Sequence, residues 1–518
     1  MSLSDALSTI IRLWATSRYS PLFAVMSGAA TVLAFAPFGW YAIAIVALVV
    51  WYQSLYTTTT PRAAFLNGWL FGLGLFGFGV AWIRISLNEF GNLAPPFAII
   101  LTVLLIAAMA LYYAVTGVLL HWLMQCNHKR QDWIAPVMAL PAVWVLFEWL
   151  RGWLFTGFPW LTIGNSQVDS PLVGFAACFG VYGLSLMVAL SAGLIWSALH
   201  HTNRMRVFTI GALTAIWLAG WLLQRIEWTQ PTGQPLTATV VQGNIQQAFK
   251  WQPDMLLPTI AIYLELTRPA LEQSDLIVWP ETAIPEFLHT LRAGLFDPLT
   301  QQAWEHDTNI VVGIPIMVAN DEYYNALMTL GQNEDQYYKR HLVPFGEYLP
   351  FRELLQPLID WFEVPLSAFS RGTADKPLLK VGELLVGASI CYEDVFPTEV
   401  RQALPEAAYL INVSNDAWFG DSLAPPQHLE FARLRAIENS RDLIRATNTG
   451  ISAIIDWRGR LLTSIPVFTR ATATASIQPR QGHTPFSRFG NAPVLVLINI
   501  MLLFALWRRG QHFLSKRS

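Results

Sequence analysis

Leu384-Leu385-Val386-Gly387-Ala388-Ser389-Ile390-Cys391-Tyr392-Glu393-Asp394 joins an apolar, β-branched run to a cysteine and two carboxylates. The run up to Ile390 predicts a buried strand, and Pro397 to Ala403 predicts a short helix after it. A sharp turn from strand to helix exposes a nucleophile at the end of a sheet. We therefore predict that Cys391 is a nucleophile on an α/β domain. The alternative is a small buried hydrophobic residue, which a lone cysteine often is.

Around this segment the chain alternates short β-branched runs with helical stretches. The spacing of Phe431, Leu434 and Ile437 predicts a helix from Gln427 to Asn439, and Pro258 to Gln273 predicts another. Buried strands interleaved with helices are typical of an α/β domain whose helices cover the faces of its sheets. The predicted strands are 238–242, 276–279, 310–316, 384–390, 408–413, 451–456 and 471–477.

Two further segments place charged side chains beside predicted strands: Trp279-Pro280-Glu281-Thr282 and Tyr337-Tyr338-Lys339. A thiol needs a base to become a nucleophile, and a cation to stabilise the oxyanion that its attack creates. We predict Glu281 as the base and Lys339 as the cation, which also lowers the pKa of a nearby thiol. Either residue alone would be more typical of a charged surface, so the prediction depends on all three segments together.

Glu347 and Glu393 add two carboxylates to the same segments. We expect them to orient Lys339 or the turn at Cys391. The sequence contains no GxSxG, HExxH, P-loop or paired CxxC motif, so serine hydrolase, metalloprotease and NTPase interpretations have no support. We therefore expect neither a metal nor a cofactor.

The composition indicates a membrane protein. Of 518 residues, 53% are hydrophobic and 13% are charged, whereas soluble domains contain about 25% charged residues. Eight apolar runs approach the roughly 20 residues that span a bilayer, and the first two meet in a predicted hairpin at 36–39. The net charge of −2 and the lack of a basic stripe give no support to nucleic-acid binding. The runs lie near 21–36, 40–56, 64–85, 97–124, 134–150, 171–198, 208–224 and 492–507.

Lys and Arg in the short loops predict the orientation in the membrane. They fall on one side of the predicted spans, together with the C-terminal tail, and Arg151 is the exception. We therefore predict that both termini are cytoplasmic and that the segment before the last span is periplasmic. The predicted division is a membrane domain at 1–224, a catalytic domain at 225–491, and a last span with its tail at 492–518.

The three cysteines fall in different parts of this predicted topology. Cys126 is in a cytoplasmic loop, Cys178 is inside a span, and Cys391 is alone in the outer domain. A lone cysteine in an oxidising compartment has no intramolecular disulfide partner. The topology therefore strengthens the interpretation of Cys391 as a reactive free thiol.

Two motifs in the membrane part have alternative interpretations. Gly72-Leu73-Gly74-Leu75-Phe76-Gly77 matches a dinucleotide-binding fingerprint, but no strand precedes it, so close packing of helices is favoured. Glu148 and Arg151 end the fifth run, where charges are costly and often functional. They form either an ion pair that closes a helix end or part of a substrate site. A transporter would need more ionisable residues in its spans and internal repeats, and we find neither clearly.

A long segment from Leu342 to Arg371 is rich in proline and aromatic residues. Loops of this length are usually functional. Apolar aromatic residues beside a membrane predict a lid or arm that dips toward lipid. The alternative is a hydrophobic insertion packed on its own domain.

Together with Asn412-Val413-Ser414-Asn415-Asp416, the segments around Glu281, Lys339 and Cys391 resemble the nitrilase, or carbon–nitrogen hydrolase, superfamily. The membrane part narrows the resemblance to the apolipoprotein N-acyltransferase family. The narrower resemblance rests on the arrangement of seven runs plus one and on segments 148–152, 156–160, 241–244, 342–348 and 484–490.

The resemblance implies an α-β-β-α sandwich beside a membrane domain of about eight helices. It implies transfer of an acyl chain from a phospholipid, chiefly phosphatidylethanolamine, to the N-terminal amine of a diacylglyceryl apolipoprotein. Cys391 would hold the acyl group as a thioester, Glu281 would be the base, and Lys339 would stabilise the oxyanion.

The resemblance also implies supporting residues and a cellular location. We expect a monomer in the inner membrane of a bacterium. The nearest alternative is a membrane-tethered nitrilase-type amidase, against which the aromatic arm argues. The supporting residues are Trp251, Glu347, Tyr392 and Glu393.

Overall fold

The computed structural model describes residues 20–91, 93–124, 134–201, 203–318, 322–348 and 369–515. The chain divides into two compact units. The first is drawn from Met1–Ala81, Ile99–Ile226 and Phe489–Ser518, and the second from Trp82–Ala98 and Glu227–Arg488. The second unit therefore includes a short segment, Trp82–Ala98, that the division predicted from the sequence assigns to the membrane domain.

Apolar helices make up the first unit. Their apolar residues are not confined to one face, as expected for helices surrounded by lipid or by other helices. Two short helical segments between these helices, Ile83–Ile85 and Ser86–Phe90, belong to the second unit. The other helical segments among the described residues of this part of the chain are Ser20–Thr31, Val32–Ala34, Ala42–Tyr56, Pro61–Gly79, Pro95–Met124, Ala135–Ala139, Leu140–Arg151, Leu154–Thr156, Ile163–Gln167, Pro171–Phe175, Ala176–His200, Asn203–Leu223 and Ala492–Ser515.

Several of these helices could cross a bilayer by length and composition. Among the described residues, four qualify: Pro95–Met124, Pro171–His200, Arg204–Leu223 and Ala492–Gln511. The pair Pro61–Gly79 and Ile83–Phe90, bent by 59°, is a fifth candidate. The expected count of about eight is not confirmed, because the first two apolar runs form the shorter helices Ser20–Ala34 and Ala42–Tyr56, and the fifth forms only Ala135–Ala139 and Leu140–Arg151.

In the part of the second unit that the structure describes, the strands form two six-stranded sheets and a two-stranded ribbon. The strands are β1 (Gln230–Pro231), β2 (Leu236–Gln242), β3 (Leu276–Val278), β4 (Asn309–Val318), β5 (Glu322–Leu330), β6 (Gln336–Tyr338), β7 (Leu378–Val381), β8 (Leu384–Ile390), β9 (Leu410–Ser414), β10 (Leu443–Thr447), β11 (Ser452–Ile455), β12 (Leu461–Ile465), β13 (Ala471–Ile477) and β14 (Arg480–Gln481).

The first sheet has the order β13-β2-β3-β4-β5-β6, and the second has the order β12-β11-β10-β9-β8-β7. The inner pairs β2–β3, β3–β4, β8–β9 and β9–β10 are parallel, and the outer pairs are antiparallel. Parallel neighbours need crossover connections, which helices supply. Beyond Trp82–Ala98, the helical segments among the described residues of this unit are Gln247–Lys250, Pro253–Met255, Leu256–Leu271, Leu288–Leu291, Arg292–Phe296, Asp297–Glu305, Cys391–Val395, Pro397–Val400, Arg401–Ala403, Asp416–Phe419, Ala424–Asn439 and Pro485–Phe489.

Three apolar clusters show how these layers pack. One cluster joins both sheets, with Val240 from the first and Ile411 from the second. The neighbouring residue Val241 points the other way, into a cluster with the helices that cover the first sheet. Leu410 likewise joins a cluster with the helix Ala424–Asn439 on the second sheet. Because successive side chains on a strand point to opposite faces, each inner strand contributes to two layers, and the predicted α-β-β-α sandwich is confirmed.

All seven predicted strands are present within a few residues. The two longer predicted helices are present as Leu256–Leu271 and Ala424–Asn439, and the short one as Pro397–Val400 with Arg401–Ala403. The structure adds strands that the sequence pattern does not predict. They lack a clean apolar run, because β5 contains Tyr and Asn, β10 contains Arg445, and the short β7 contains Lys380. Neighbouring strands and buried partners, rather than local preference, place these segments in the sheets.

Candidate active site

Cys391 lies at a sharp turn directly after β8. It begins the 3₁₀ helix Cys391–Val395 and has a φ of 53°, in the left-handed region. That conformation costs a non-glycine residue about 1–2 kcal/mol, so the surrounding structure must hold it. The turn brings the sulfur to the carboxyl end of a parallel strand, which is the arrangement predicted from the sequence.

Glu281 follows β3, whose carboxyl end lies at the corresponding edge of the first sheet. Trp279 N donates to Val311 O at 2.8 Å, and Ala283 N donates to Gly313 O at 2.8 Å, so β4 holds the segment on both sides of Glu281. A Cβ at Gly313 would lie 2.3 Å from Pro280 O. Only glycine at this position lets the Glu281 turn approach β4 so closely.

Both carboxylate oxygens of Glu281 accept hydrogen bonds. Oε1 accepts from Asn325 Nδ2 at 2.6 Å and lies 3.4 Å from Lys339 Nζ. Oε2 accepts from the backbone N of Asn415 at 2.9 Å. Glu281 is 7% exposed, so its orientation is set by these protein donors rather than by water. The fixed carboxylate suits a base that takes a proton from one defined direction.

Lys339 follows β6 and is bound to two carboxylates. Its Nζ lies 2.8 Å from Glu347 Oε1 as well as 3.4 Å from Glu281 Oε1. The side chain is 1% exposed. Burial alone would lower the lysine pKa, but the charges of Glu347 and Glu281 outweigh it and raise the pKa above its ordinary value. Lys339 therefore stays an ammonium at neutral pH and can stabilise an oxyanion.

The thiol of Cys391 interacts electrostatically with both Glu281 and Lys339. Burial raises its pKa well above the ordinary value, and Glu281 adds to the rise, while Lys339 lowers it. Lys339 therefore acts on the thiol pKa in the expected direction, but desolvation of the buried sulfur outweighs it. A buried thiol whose pKa is raised needs a base beside it in order to attack, which is the role predicted for Glu281.

Glu393 is a structural anchor beneath the turn. It accepts from Tyr337 OH at 2.9 Å, from the backbone N of Arg340 at 2.6 Å, and from the backbone N of Ile390 at 2.7 Å. Burial raises its pKa, and the backbone donors oppose that rise. These bonds connect the chain after β6, which contains Lys339, to the chain before Cys391. The expected orienting role of Glu393 thus has a direct geometric basis.

Glu347 lies in the described part of the aromatic segment. Its Oε2 accepts from Val343 N at 2.8 Å, and its own N donates to Val343 O at 2.9 Å. Glu347 therefore closes a local turn while it holds Lys339. Residues 349–368, most of the predicted arm, lie outside the described residues, so the lid and insertion interpretations both stay predictions.

Trp251 and Tyr392 are less directly connected to the three central residues. Trp251 is 56% exposed, directly after the helix Gln247–Lys250. Tyr392 packs edge-on against the rings of His341 and Phe396, with centroids 5.7 and 5.0 Å apart. Their supporting roles stay predictions.

Three residues that the sequence pattern did not single out as site residues also belong to this site. Asn325 donates to Glu281 and also to Glu347 Oε1, at 3.3 Å. Asn415 holds the other oxygen of Glu281, and its segment is part of the quoted resemblance. Lys250 is 1% exposed and has its Nζ 3.5 Å from Glu281 O. Burial lowers the pKa of Lys250 to about 8, partly opposed by Glu281.

In the first unit, Glu148 and Arg151 end the helix Leu140–Arg151 and are buried. Glu148 Oε1 accepts from Ile163 N at 2.8 Å. Arg151 Nη1 donates to Phe158 O at 2.6 Å and to Trp160 O at 2.5 Å. Both side chains therefore hold the backbone that returns after the helix. This geometry favours closure of a helix end, and a substrate role stays untested.

Two family models match the chain. The model described as "Apolipoprotein N-acyltransferase N-terminal domain" matches residues 27–194. The model described as "Carbon-nitrogen hydrolase" matches residues 237–484, which contain Glu281, Lys339 and Cys391.

Curated relatives match almost end to end, and each is named apolipoprotein N-acyltransferase. The protein of Nitrosomonas europaea is 45% identical over 480 residues, which are 92% of this chain and 95% of that one. The protein of Methylococcus capsulatus is 42% identical over 477 residues, 92% of this chain and 94% of that one. The protein of Coxiella burnetii is 38% identical over 488 residues, 93% and 99% of the two chains.

Matches to solved structures cover about half of the chain. A mutant of the Nesterenkonia AN1 amidase from the nitrilase superfamily has 18% identity and a TM-score of 0.36, over 51% of this chain and 97% of that chain. A carbon–nitrogen hydrolase from Helicobacter pylori has 14% identity and a TM-score of 0.34, over 47% and 89% of the two chains.

Proposed function

Because this chain belongs to the apolipoprotein N-acyltransferase family, we propose that it transfers an acyl chain from a membrane phospholipid to the N-terminal amine of an apolipoprotein. The full-length similarity to relatives of that name supports this proposal. The single structural observation that supports it best is the buried cluster in which Glu281 and Lys339 both act on the thiol of Cys391. A base, a cation and a thiol are the requirements of acyl transfer through a thioester.

In the first half-reaction, Glu281 takes the proton of Cys391 as the sulfur attacks the ester carbonyl carbon of the phospholipid. The tetrahedral oxyanion forms beside the Lys339 ammonium, which is fixed in place and shielded from water. The carbon–oxygen bond then breaks, and Glu281 returns the proton to the departing lysophospholipid hydroxyl. The acyl chain remains on Cys391 as a thioester.

In the second half-reaction, the α-amine of a diacylglyceryl-cysteine attacks the thioester carbonyl carbon. Glu281 takes a proton from the amine, Lys339 again stabilises the oxyanion, and the carbon–sulfur bond breaks. The sulfur recovers a proton, so the free thiol is regenerated and the acceptor becomes an amide. Phosphatidylethanolamine as the preferred donor is part of the proposal.

The function is tested by incubating the purified full-length protein with phosphatidylethanolamine and measuring its intact mass. We expect an acyl-sized increase on Cys391 that hydroxylamine removes, and release of the acyl group when a diacylglyceryl peptide is added. Cys391→Ala should fold and insert normally but show no adduct. No adduct on the wild type under conditions of turnover would exclude the thioester mechanism.

The same experiment separates transfer from hydrolysis. An amidase of the nitrilase type would release free fatty acid to water at the same rate with or without the acceptor amine. The proposed acyltransferase should hold its thioester until the amine arrives. Rapid hydrolysis without acceptor would therefore favour the amidase alternative.

We further propose that the protein spans the inner membrane eight times, acts as a monomer, and has its catalytic domain in the periplasm and both termini in the cytoplasm. The helical stretches Ser20–Ala34, Ala42–Tyr56 and Ala135–Arg151 coincide with three apolar runs and support the eight spans. Single cysteines introduced into Cys-free protein at exposed positions test the topology. Membrane-impermeant maleimide should label position 265 in whole spheroplasts, and position 62 only after lysis.

A further inference from the structure

Four buried charged side chains form a closed ring beneath the turn at Cys391. His428 Nδ1 lies 2.9 Å from Asp416 Oδ1, and His428 Nε2 lies 2.9 Å from Asp394 Oδ1. Arg445 binds the remaining oxygens, with Nη1 3.1 Å from Asp394 Oδ2 and Nη2 3.2 Å from Asp416 Oδ2. Each carboxylate therefore lies between the same two cations, and all four side chains are at most 1% exposed.

The ring requires His428 to be an imidazolium. A neutral imidazole has one ring nitrogen without a proton, and that nitrogen would face a carboxylate oxygen. With both nitrogens protonated, two negative and two positive charges balance in a buried space, where an unpaired charge would be costly. Burial and Arg445 disfavour the charged histidine, but Asp394 and Asp416 outweigh them and raise its pKa to about 9.

The ring joins the ends of neighbouring strands. Asp394 is in the turn after β8, Asp416 is in the turn after β9, and Arg445 is on β10. His428 comes from the helix Ala424–Asn439, which covers that sheet. The ring therefore fixes two strand-end turns relative to the sheet. The first of these turns contains Cys391, and the second contains Asn415, which holds Glu281.

His428 also contacts the nucleophile's own backbone. Its Nε2 lies 3.4 Å from the carbonyl oxygen of Cys391, in addition to its bond with Asp394. Cys391 has the left-handed φ of 53°, which a residue with a side chain adopts only when its surroundings impose it. A cation bound to this carbonyl limits the backbone rotation that would return Cys391 to a negative φ.

We propose that His428 is a positioning residue for Cys391: through its bonds to Asp394, Asp416 and the Cys391 carbonyl, it holds the strained turn that presents the sulfur to Glu281 and Lys339. The inference rests on the proposed function for its assay. The property that it concerns is the position of the Cys391 thiol. In this proposal His428 acts through the Cys391 backbone and the two carboxylates rather than on the substrate. Its loss should slow the chemical step and leave phospholipid binding unchanged.

The test compares His428→Gln and His428→Ala with the wild type in single-turnover thioester formation and in alkylation of Cys391 by iodoacetamide. Misplacement by about an ångström can cost about 100-fold in rate, so we expect thioester formation to fall by that order. The phospholipid concentration at half-maximal rate should stay the same. Alkylation should also slow, and it reports the thiol without any acyl donor.

The matched control is Leu434→Ala, which removes a buried side chain from the same helix outside the ring. It should lower the thermal stability and keep the rate of thioester formation per folded molecule. If Leu434→Ala loses as much rate as the histidine variants at equal loss of stability, the ring is only structural and the proposal is wrong. Wild-type rates in His428→Gln would overturn it as well.

If neither histidine variant folds, the pH dependence of the wild type decides. The charged groups that face His428 include Asp394, Asp416 and Arg445, and the rings of Phe419 and Phe431 lie beside it. The rate of thioester formation should fall reversibly between about pH 8 and 10 as the imidazolium deprotonates. The Lys250→Met variant is measured in parallel, because it removes the titration of Lys250 near pH 8. A flat or rising rate would overturn the proposal. No thioester on the wild type at any pH would instead contradict the proposed function.

Discussion

The ammonium of Lys339 lies 2.8 Å from Oε1 of Glu347, closer than to the carboxylate of the predicted base. The cation is thus held mainly by a residue that does not need to take part in proton transfer. If Lys339 were paired only with Glu281, the base would be occupied by the cation that it works beside. Glu347 therefore binds Lys339 and leaves Glu281 able to serve as the predicted base.

Glu347→Gln should therefore slow thioester formation by about 100-fold, the order seen when an oxyanion-stabilising group is lost. Without the Glu347 charge, Lys339 should move onto Glu281 and occupy the base. The rate is measured in single turnover with phosphatidylethanolamine. Glu334→Gln, which removes the same charge from an exposed pair with Arg292, should leave it unchanged. An unaffected rate in Glu347→Gln would show that Glu281 alone holds Lys339.

Asn325→Asp should shift the pH dependence of thioester formation to higher pH. The amide nitrogen of Asn325 donates to Glu281 at 2.6 Å, and the variant would replace that donor with a third negative charge. A proton would then be held more tightly between the carboxylates, so the acid limb of the pH–rate profile moves upward. Asn333→Asp, whose amide donates to Gly382 O outside the site, should give the wild-type profile. An unshifted acid limb in Asn325→Asp would argue against Glu281 as the base.

Glu393→Gln should lower the free energy of unfolding by roughly 3 kcal/mol, because an amide NH₂ would face donors that now bind a carboxylate. Tyr337→Phe removes only one of those donors and should cost roughly 1–2 kcal/mol. Denaturant unfolding of the two variants measures both values. If Tyr337→Phe were the more damaging variant, Glu393 would not be the anchor of this turn.

Stability should fall as pH rises from about 6.5 through about 9. The pKa of His428 is raised to about 9 in the folded state, against about 6.5 when unfolded, so the folded state binds the extra proton in this window. The His428 proton stabilises the fold by roughly 3 kcal/mol. This stabilisation is complete below the unfolded-state pKa of about 6.5 and is lost above the folded-state pKa of about 9. Lys250, with its pKa lowered to about 8, acts in the opposite sense above pH 8.

The histidine contribution is isolated as the difference in unfolding free energy between the wild type and His428→Gln, measured at several pH values. Lys250 is present in both proteins, so its contribution cancels. The difference should shrink as pH rises through about 9. A difference that does not change with pH would mean that His428 is not charged in the folded protein.

Arg151→Lys should lower the yield and thermal stability of the protein but not its rate per folded molecule. A lysine cannot reach both Phe158 O and Trp160 O as the guanidinium does, and unsatisfied buried acceptors cost roughly 1–3 kcal/mol each. Arg204→Lys, at an exposed position, is the control. Normal stability with a weaker apparent affinity for phospholipid would instead support a substrate role for Arg151.

Local sequence predicts the parts of the site that follow a buried strand. Cys391 comes directly after β8 and Glu281 comes shortly after β3, so the apolar, β-branched pattern alone is enough to place them at sheet edges. Asn325 has no such signal. It lies inside β5, a strand that the pattern does not predict, and its importance comes from contacts with Glu281 and Glu347, which are distant in sequence.

Local sequence also does not predict the pKa shifts of the site residues. Lys339 beside a thiol suggests a lowered pKa, but the direction depends on how deeply the sulfur is buried, and burial is set by both sheets together. The sequence gives no sign that Lys250 is buried, because lysines are usually exposed. Its neighbour Trp251 is exposed in the structure. Apolar character alone likewise does not fix the number of spans, because Ser20–Ala34 and Ala42–Tyr56 are apolar but short.

The segment Trp82–Ala98 has a consequence for how the catalytic unit can be made. Ser86 Oγ donates to Trp418 O at 2.6 Å, and the ring of Trp82 lies 4.7 Å from that of Phe419. These partners are synthesised more than 300 residues apart, the separation for Ser86 and Trp418 being 332. Most of the chain must therefore be synthesised before this unit can complete its fold. A recombinant fragment that begins at Glu227 would lack a piece of its own domain, and the ring of Phe419 would lose its contact with Trp82.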